Sequence, residues 1–264
     1  MNYLSKKEQI KVYLGKLIRD FKNKSKLIIL LGAITTPAIV RIVTGEDSFL
    51  TTSSDAGTAV FILACACLWL GIFNSITSIC KERDIIKHEY REGLDIKSYI
   101  ASHMIFGLLI CLIEAVIITI LLTIFYRQNI ENYFVLVGLF ISFFLIIYAA
   151  NALGILISAA VKNTEIAMTA MPFVLLIQLV LAGNIKLEKL YLQAISCLMI
   201  SKNGYDAILR LTGFTERPGS FPGVGKFIDY SNVSHFIVCW LMLIALSALS
   251  GYLAGVVLEK NINK

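Results

Sequence analysis

Residues 81–94 read KERDIIKHEYREGL, a dense block of both charges in a chain that is 57% hydrophobic. Long apolar runs flank this block, and each is long enough to cross a bilayer, which takes roughly 20 mostly apolar residues. A charged side chain at the bilayer centre costs about 3 kcal/mol or more, so the block must lie in water on one side of a membrane. This order of span, charged block and span predicts an all-α polytopic membrane protein.

The composition excludes an ordinary soluble domain. Mean hydropathy is +0.76 and only 16% of the 264 residues are charged. We expect six transmembrane helices, which leave little chain for a separate globular domain, so residues 1–264 are predicted to form a single transmembrane domain. The predicted spans cover residues 27–43, 56–80, 100–126, 133–160, 166–183 and 234–258, with spans one to five together occupying 27–183.

Basic residues are unevenly distributed along the chain. The first 26 residues hold eight Lys and Arg, the loop 44–55 holds none, and the block 81–97 holds five. The positive-inside rule therefore predicts a multi-pass protein of the cytoplasmic membrane with both termini and the charged block in the cytosol. The segment 184–233 also carries six Lys and Arg, so this orientation depends on the early spans. No nucleic-acid partner is predicted, because no basic patch is interleaved with aromatic residues.

Residues 1–25 are predicted to contain an amphipathic helix. Its apolar residues recur at helical spacing on one face, and most of its lysines lie elsewhere on the helix. Such a basic helix lies in the membrane interface, and a plain topogenic tail is the alternative. The residues of the apolar face are Ile10, Tyr13, Leu14, Leu17, Ile18 and Phe21.

The segment 184–233 is predicted to lie outside. Its first part, 186–210, is apolar but interrupted, and each half is too short to cross a bilayer, which favours two short re-entrant helices covered by protein. A turn-rich external loop follows. Within it, residues 220–227 read SFPGVGKF, which lacks the first glycine and the Ser or Thr of a phosphate-binding loop. We therefore predict no cofactor and no ATP site in this chain.

Glu114 is an ionisable residue near the middle of the third predicted span. Such a residue must face protein or water, and two interpretations remain open: a carboxylate that contacts substrate or a proton, and a packing residue at a helix interface. No catalytic constellation and no metal-binding pattern accompanies it. Pairing of Cys197 with Cys239 in an outer disulfide is also left open.

The charged block is predicted to form a short cytosolic helix over 82–92. Arg83, Lys87 and Arg91 recur on one face, Glu82 and Glu89 share another, and Gly93 ends the helix. A short helix with its charges sorted in this way suits docking to a soluble partner. A solvated loop with balanced charge is the alternative.

These residues carry a family likeness. The pattern Glu82-Arg83-x-Ile85-x-x-His88-Glu89-Tyr90-x-x-Gly93, followed by Tyr99, resembles permeases of the type-2 ATP-binding-cassette (ABC) exporter family, and most of all the membrane domain of its G-subfamily. The sequences Ala182-Gly183 and 201–207 resemble the same family. The resemblance covers residues 6–258.

The resemblance implies a permease that pairs with a second permease chain, identical or different, and is coupled to two separate ABC ATPase subunits. Those subunits hold ATP and Mg, so this chain is not itself an enzyme. The N-terminal helix would be the connecting helix and 82–92 the coupling helix. The resemblance assigns ATPase coupling to Glu82, Arg83, Lys87, Glu89, Tyr90 and Arg91. It places the substrate path at Cys67, Leu70, Asn74, Gln178 and Leu179, and the outer gate at Asn184 and Ile185, where the family carries two leucines.

The expected function is export of an amphipathic cargo such as a peptide antibiotic, a drug or a lipid, in a bacterium. Two alternatives belong to other classes. One is an intramembrane enzyme that modifies lipids or peptides, and the other is a membrane scaffold without transport. The sequence leaves the cargo and the identity of the ATPase open.

Overall fold

The computed structural model describes residues 5–23, 27–44, 53–126, 133–182, 190–211 and 234–262. Every regular element in these ranges is helical, which confirms the all-α prediction. The predicted outer gate at Asn184 and Ile185 and the external loop 212–233 lie outside the described residues, so they stay predictions. The described helices are α1 (Lys6–Asn23), α2 (Leu27–Thr44), α3 (Ser53–Ser75), a 3-10 turn (Cys80–Glu82), α4 (Arg83–Arg91), α5 (Ile96–Phe125), α6 (Tyr133–Ala160), α7 (Thr164–Val180), α8 (Leu190–Cys197), α9 (Ile200–Leu211) and α10 (Ser234–Ile262).

Four helical segments in the described ranges are long and apolar enough to cross a membrane: Gly57–Arg91, Ile96–Phe125, Tyr133–Ala160 and Phe236–Ile262. The other two predicted spans, α2 and α7, are apolar but shorter. The 17 residues of α7 would extend about 26 Å, somewhat less than the roughly 30 Å hydrocarbon core. The chain is thus a multi-pass membrane protein, and the count of six spans stays a prediction.

Helix α6 lies at the centre of the bundle and packs mainly against α3, α10 and α5. Small residues allow its close approach to α3. A Cβ atom placed on Gly71 would lie 2.2 Å from the carbonyl oxygen of Ile147. The Ser75 hydroxyl donates a hydrogen bond of 2.7 Å to the carbonyl of Asn151. Small residues at such crossings are typical of membrane helices, so this contact fixes α3 against α6.

A second, smaller core lies beneath α4. Ile86 is 0% exposed and packs with the start of α5 and with the ends of α6 and α10. Gly93 then ends the α4 segment with φ 105°, a left-handed conformation that glycine adopts readily. The predicted helix over 82–92 is confirmed within one residue at each end, and its buried isoleucine fixes it to the bundle.

The two predicted short helices correspond to α8 and α9. Helix α9 packs against α10, α6 and α3, so it belongs to the bundle. Its membrane position stays a prediction. Cys197 is exposed and Cys239 is buried, and both are free thiols in the structure.

Candidate functional site

Helix α1 makes one polar contact with α4 and one with the 3-10 turn that precedes it. The Tyr13 hydroxyl donates a hydrogen bond of 2.7 Å to Oε2 of Glu89, and the Lys16 ammonium lies 2.9 Å from Oε2 of Glu82. Both pairs are partly buried. The ring of Tyr13 also meets the ring of Tyr99, at 5.3 Å between centroids in an edge-to-face arrangement. The amphipathic helix and the charged helix therefore form one unit.

Gln9 joins α1 to the turn between α4 and α5. Its amide oxygen accepts a hydrogen bond of 2.9 Å from the backbone of Asp95, and its amide nitrogen donates to the carbonyl of Gly93. Asp95 caps α5 by accepting hydrogen bonds from Ser98, which is the usual role of aspartate at a helix start.

Local electrostatics favour this arrangement. Burial raises the pKa of the Tyr13 hydroxyl, and its hydrogen bond with Glu89 raises that pKa further. Tyr13 thus remains the donor and Glu89 the acceptor. The side-chain hydrogen bond from Ser98 lowers the pKa of Asp95, so the cap of α5 stays ionised.

The start of α4 and the segment just before it are also fastened. Arg83 donates a hydrogen bond to the carbonyl of Val161, in the turn between α6 and α7. The hydroxyl of Ser158 accepts hydrogen bonds from the backbone N–H groups of Ile79 and Cys80, at 3.0 and 3.1 Å. These contacts join the start of α4 and the segment before it to α6 and to the α6–α7 turn.

One face of α4 remains open to solvent. Its five residues follow one another at intervals of one, three, three and one positions, a spacing that keeps them on one side of a helix. This exposed face, which we call the docking face, comprises Asp84, Ile85, His88, Arg91 and Glu92.

The six predicted coupling residues therefore occupy different places. Only Arg91 is exposed on the docking face. Glu82 and Glu89 contact α1, and Arg83 contacts the α6–α7 turn. Lys87 and Tyr90 are half-buried. The sequence pattern did not reveal that Tyr13 and Lys16 are the partners of the two glutamates, although Tyr13 belonged to the predicted apolar face of α1.

An apolar pocket of about 410 Å³ lies between α3 and α7. A volume of this size is within the range of small-molecule sites. Of the five predicted path residues, only Leu179 lines it. Its other lining residues are Trp69, Phe73, Met168, Met171, Pro172, Leu175 and Leu176.

The other predicted path residues face elsewhere. Cys67 is fully buried in the main core, and Leu70 lies over Gly32 of α2. Gln178 is buried, and its side-chain oxygen accepts a hydrogen bond of 3.2 Å from the backbone of Ser201, which fastens α7 to α9. The structure thus does not bring the five residues together.

Glu114 is fully buried and contacts Asn74. The Asn74 amide donates a hydrogen bond of 2.8 Å to Oε2 of Glu114. Both side chains therefore belong to a contact between α3 and α5. This position agrees with the requirement that an intramembrane carboxylate face protein.

Comparison with known proteins identifies the family of this chain. The family model described as ABC-2 type transporter matches residues 8–210, from α1 through nearly all of α9. The chain belongs to this family. No curated protein matches the chain significantly. As an ABC-2 membrane component, the chain is a permease of an ABC transporter, and the resemblance inferred from the charged block is confirmed at the level of the family.

Family membership assigns a general role to the chain. ABC-2 membrane components work in the lipid bilayer with ATPase subunits and are not catalytic themselves. In this ABC-2 permease, the exposed face of α4 carries charged side chains, and the α3–α7 pocket is apolar.

Proposed function

We propose that this permease is an exporter subunit that works with a second permease chain and two separate ATPase subunits, which contact the docking face of α4. The observation that carries the proposal is the attachment of α1 to Glu89 of α4, through Tyr13 at 2.7 Å, and to Glu82 in the turn before α4, through Lys16 at 2.9 Å. A helix that is bonded to the bundle on one face and is charged and exposed on the other can transmit a movement of a bound subunit to the bundle.

ATP-driven closure of the ATPase subunits would move α1 and α4 as one body. The buried side chain of Ile86 and the Arg83 contact with the α6–α7 turn would carry that movement to α5, α6 and α7. A ligand shifts a two-state equilibrium only through its different affinities for the two states. ATP and cargo must therefore each favour one of two arrangements of these helices.

The α3–α7 pocket supports an amphipathic cargo. Its lining is apolar throughout, with Trp69 and Phe73 on one side and methionines and leucines on the other. Methionine and aromatic side chains adapt to apolar ligands of varied shape. In the proposed exporter a second permease chain would close the open side of this pocket, and the cargo would leave toward the side opposite α4.

Arg91→Glu tests the assignment of the docking face. This variant reverses one charge at the end of α4 and leaves the contacts with α1 intact. We expect roughly tenfold less ATPase subunit to co-purify with the tagged permease from its native cells, because charge reversal in an interface costs on the order of 1–3 kcal/mol. Quantitative mass spectrometry of the purified complex measures the ratio of ATPase to permease.

Lys260→Glu is the matched control. Lys260 is an exposed basic residue in the last turn of α10, so this variant makes the same change of charge outside the docking face. The ratio should stay at the wild-type value. Equal ratios in the Arg91→Glu variant and the wild type would refute the docking assignment.

A further inference from the structure

A small pocket with both polar and apolar lining lies between α1, α5, α6 and the end of α3, beside the segment that leads from α3 to α4. It has a volume of about 40 Å³, room for roughly three water molecules at 10–15 Å³ each. Leu17 and Phe21 of α1 lie at one end. The polar side chains that line the pocket are Asn74, Ser75, Ser78, His103 and Asn151.

Three buried polar atoms have no hydrogen-bond partner among the described residues, two on the pocket-lining residues Asn74 and Asn151 and one on Glu114, which is hydrogen-bonded to Asn74. They are Oδ1 of Asn74, Oε1 of Glu114 and Nδ2 of Asn151. Glu114 and Asn151 are 0% and 2% exposed. Because leaving a buried polar group unpaired is costly, two free acceptors and one free donor in or next to this pocket indicate water.

We propose that this pocket is hydrated and that Glu114 is a proton-binding site that exchanges its proton with water on the α4 side of the membrane. On release, the O–H bond of the carboxylic acid breaks and the proton passes to a pocket water, leaving a carboxylate. Asn74 positions the carboxyl group of Glu114. Its side chain lines the pocket and donates a hydrogen bond of 2.8 Å to Oε2 of Glu114.

Among the described residues, no charged side chain acts on Glu114 that would take its proton instead. Its titratable neighbours are Cys67 on α3 and Cys111 on its own helix, with Tyr148 of α6 beside Cys111. His103 lies farther along the pocket. Water in the pocket is therefore the natural acceptor of the proton.

The pocket next to Glu114 is lined in part by α1, the helix that is proposed to move together with α4. Leu17 and Phe21 follow Tyr13 and Lys16 on the same helix, and Phe21 meets Phe106 of α5 at 5.9 Å between ring centroids. A displacement of α1 with α4 would change the width of the pocket entrance. The proton site itself does not depend on the proposed partners or on the direction of transport.

Infrared difference spectroscopy of the full chain in lipid nanodiscs tests the proposal without any ATPase subunit. The wild-type minus Glu114→Gln spectrum isolates the carboxyl signal of Glu114. We expect this signal to change between about pH 4 and pH 9, the range open to a buried glutamate. In D₂O its exchange should precede that of the backbone amides of α5.

Asn151→Leu removes the polar lining at nearly constant volume. It should slow the exchange of the Glu114 proton by roughly tenfold or more, because a water at that position loses one of its two to four polar partners. Ile155→Phe narrows the same pocket with an apolar ring and should act likewise. Asn203→Leu, a buried asparagine in α9, is the matched control and should leave the rate unchanged.

Each of three results would overturn the proposal. They are a Glu114 signal that is constant across that pH range, exchange no faster than the α5 amides, and exchange that neither pocket variant slows. Because the measurement uses the permease alone, its failure would leave the ATPase-docking proposal intact.

Discussion

Replacing Glu89 by lysine is expected to detach α1 from α4 and to uncouple the permease from its ATPase. The substitution removes the acceptor of the 2.7 Å bond from Tyr13. Since a hydrogen bond to a charged group is worth about 1.5–3 kcal/mol, we expect α1 to open from α4 roughly 10- to 100-fold more often. Hydrogen-exchange mass spectrometry of the peptides covering Lys6–Asn23 reports this opening, and transport by the reconstituted complex reports its consequence.

Glu259→Lys is the control for Glu89→Lys. Glu259 is exposed near the end of α10, so the same change of charge is made away from α1. Its α1 exchange should match the wild type. If Glu89→Lys left both the α1 exchange and transport at wild-type values, α1 and α4 would not act as one unit.

The second large effect is expected at Gly71. In Gly71→Ala the new Cβ would lie 2.2 Å from the carbonyl oxygen of Ile147 and 2.6 Å from the Cβ of Ala150. Neither obstacle is a flexible side chain, so α3 must separate from α6. We expect a loss of about 3 kcal/mol or more, seen as a Tm lower by roughly 6–12 °C in a thermal unfolding assay in detergent.

Gly255→Ala makes the same change where no atom within 4 Å opposes it. It should be neutral, or slightly stabilising because alanine favours a helix more than glycine does. Equal Tm values for the two alanine variants would show that the α3–α6 crossing is not as close as described.

The elements of this fold follow well from the sequence because their signals are local. A run of apolar residues, a cluster of charges and a glycine that ends a helix each act within about 20 residues. The predicted helix over 82–92 is therefore found at Arg83–Arg91, and the predicted N-terminal helix at Lys6–Asn23.

The contacts between elements were harder to predict. Helix α3 is apolar on all sides, and such a helix carries no pattern that tells which face meets which neighbour. Asn74 was assigned to the substrate path together with Cys67 and Leu70, but it contacts Glu114 of α5. Trp69 and Phe73, which were not singled out, line the α3–α7 pocket.

The amphipathic pattern of α1 was informative but incomplete. It placed Tyr13 on the apolar face, and in the structure the ring of Tyr13 meets Tyr99 of α5. A hydropathy pattern treats tyrosine as an apolar residue, so it does not predict that the hydroxyl seeks an acceptor when buried. Glu89 is that acceptor, and the pairing becomes visible only when both helices are in place.

Photo-cross-linking from position 85 is the most direct test of the central claim, that an ATPase subunit contacts the docking face of α4. Ile85 is 50% exposed at the middle of this face, and a photoreactive amino acid there should form a covalent adduct with an ATP-binding polypeptide in native cells. The same amino acid at Tyr252 of α10, which is 68% exposed, should form none. Absence of an ATPase adduct at position 85, in a protein that is expressed and membrane-inserted, would contradict the account.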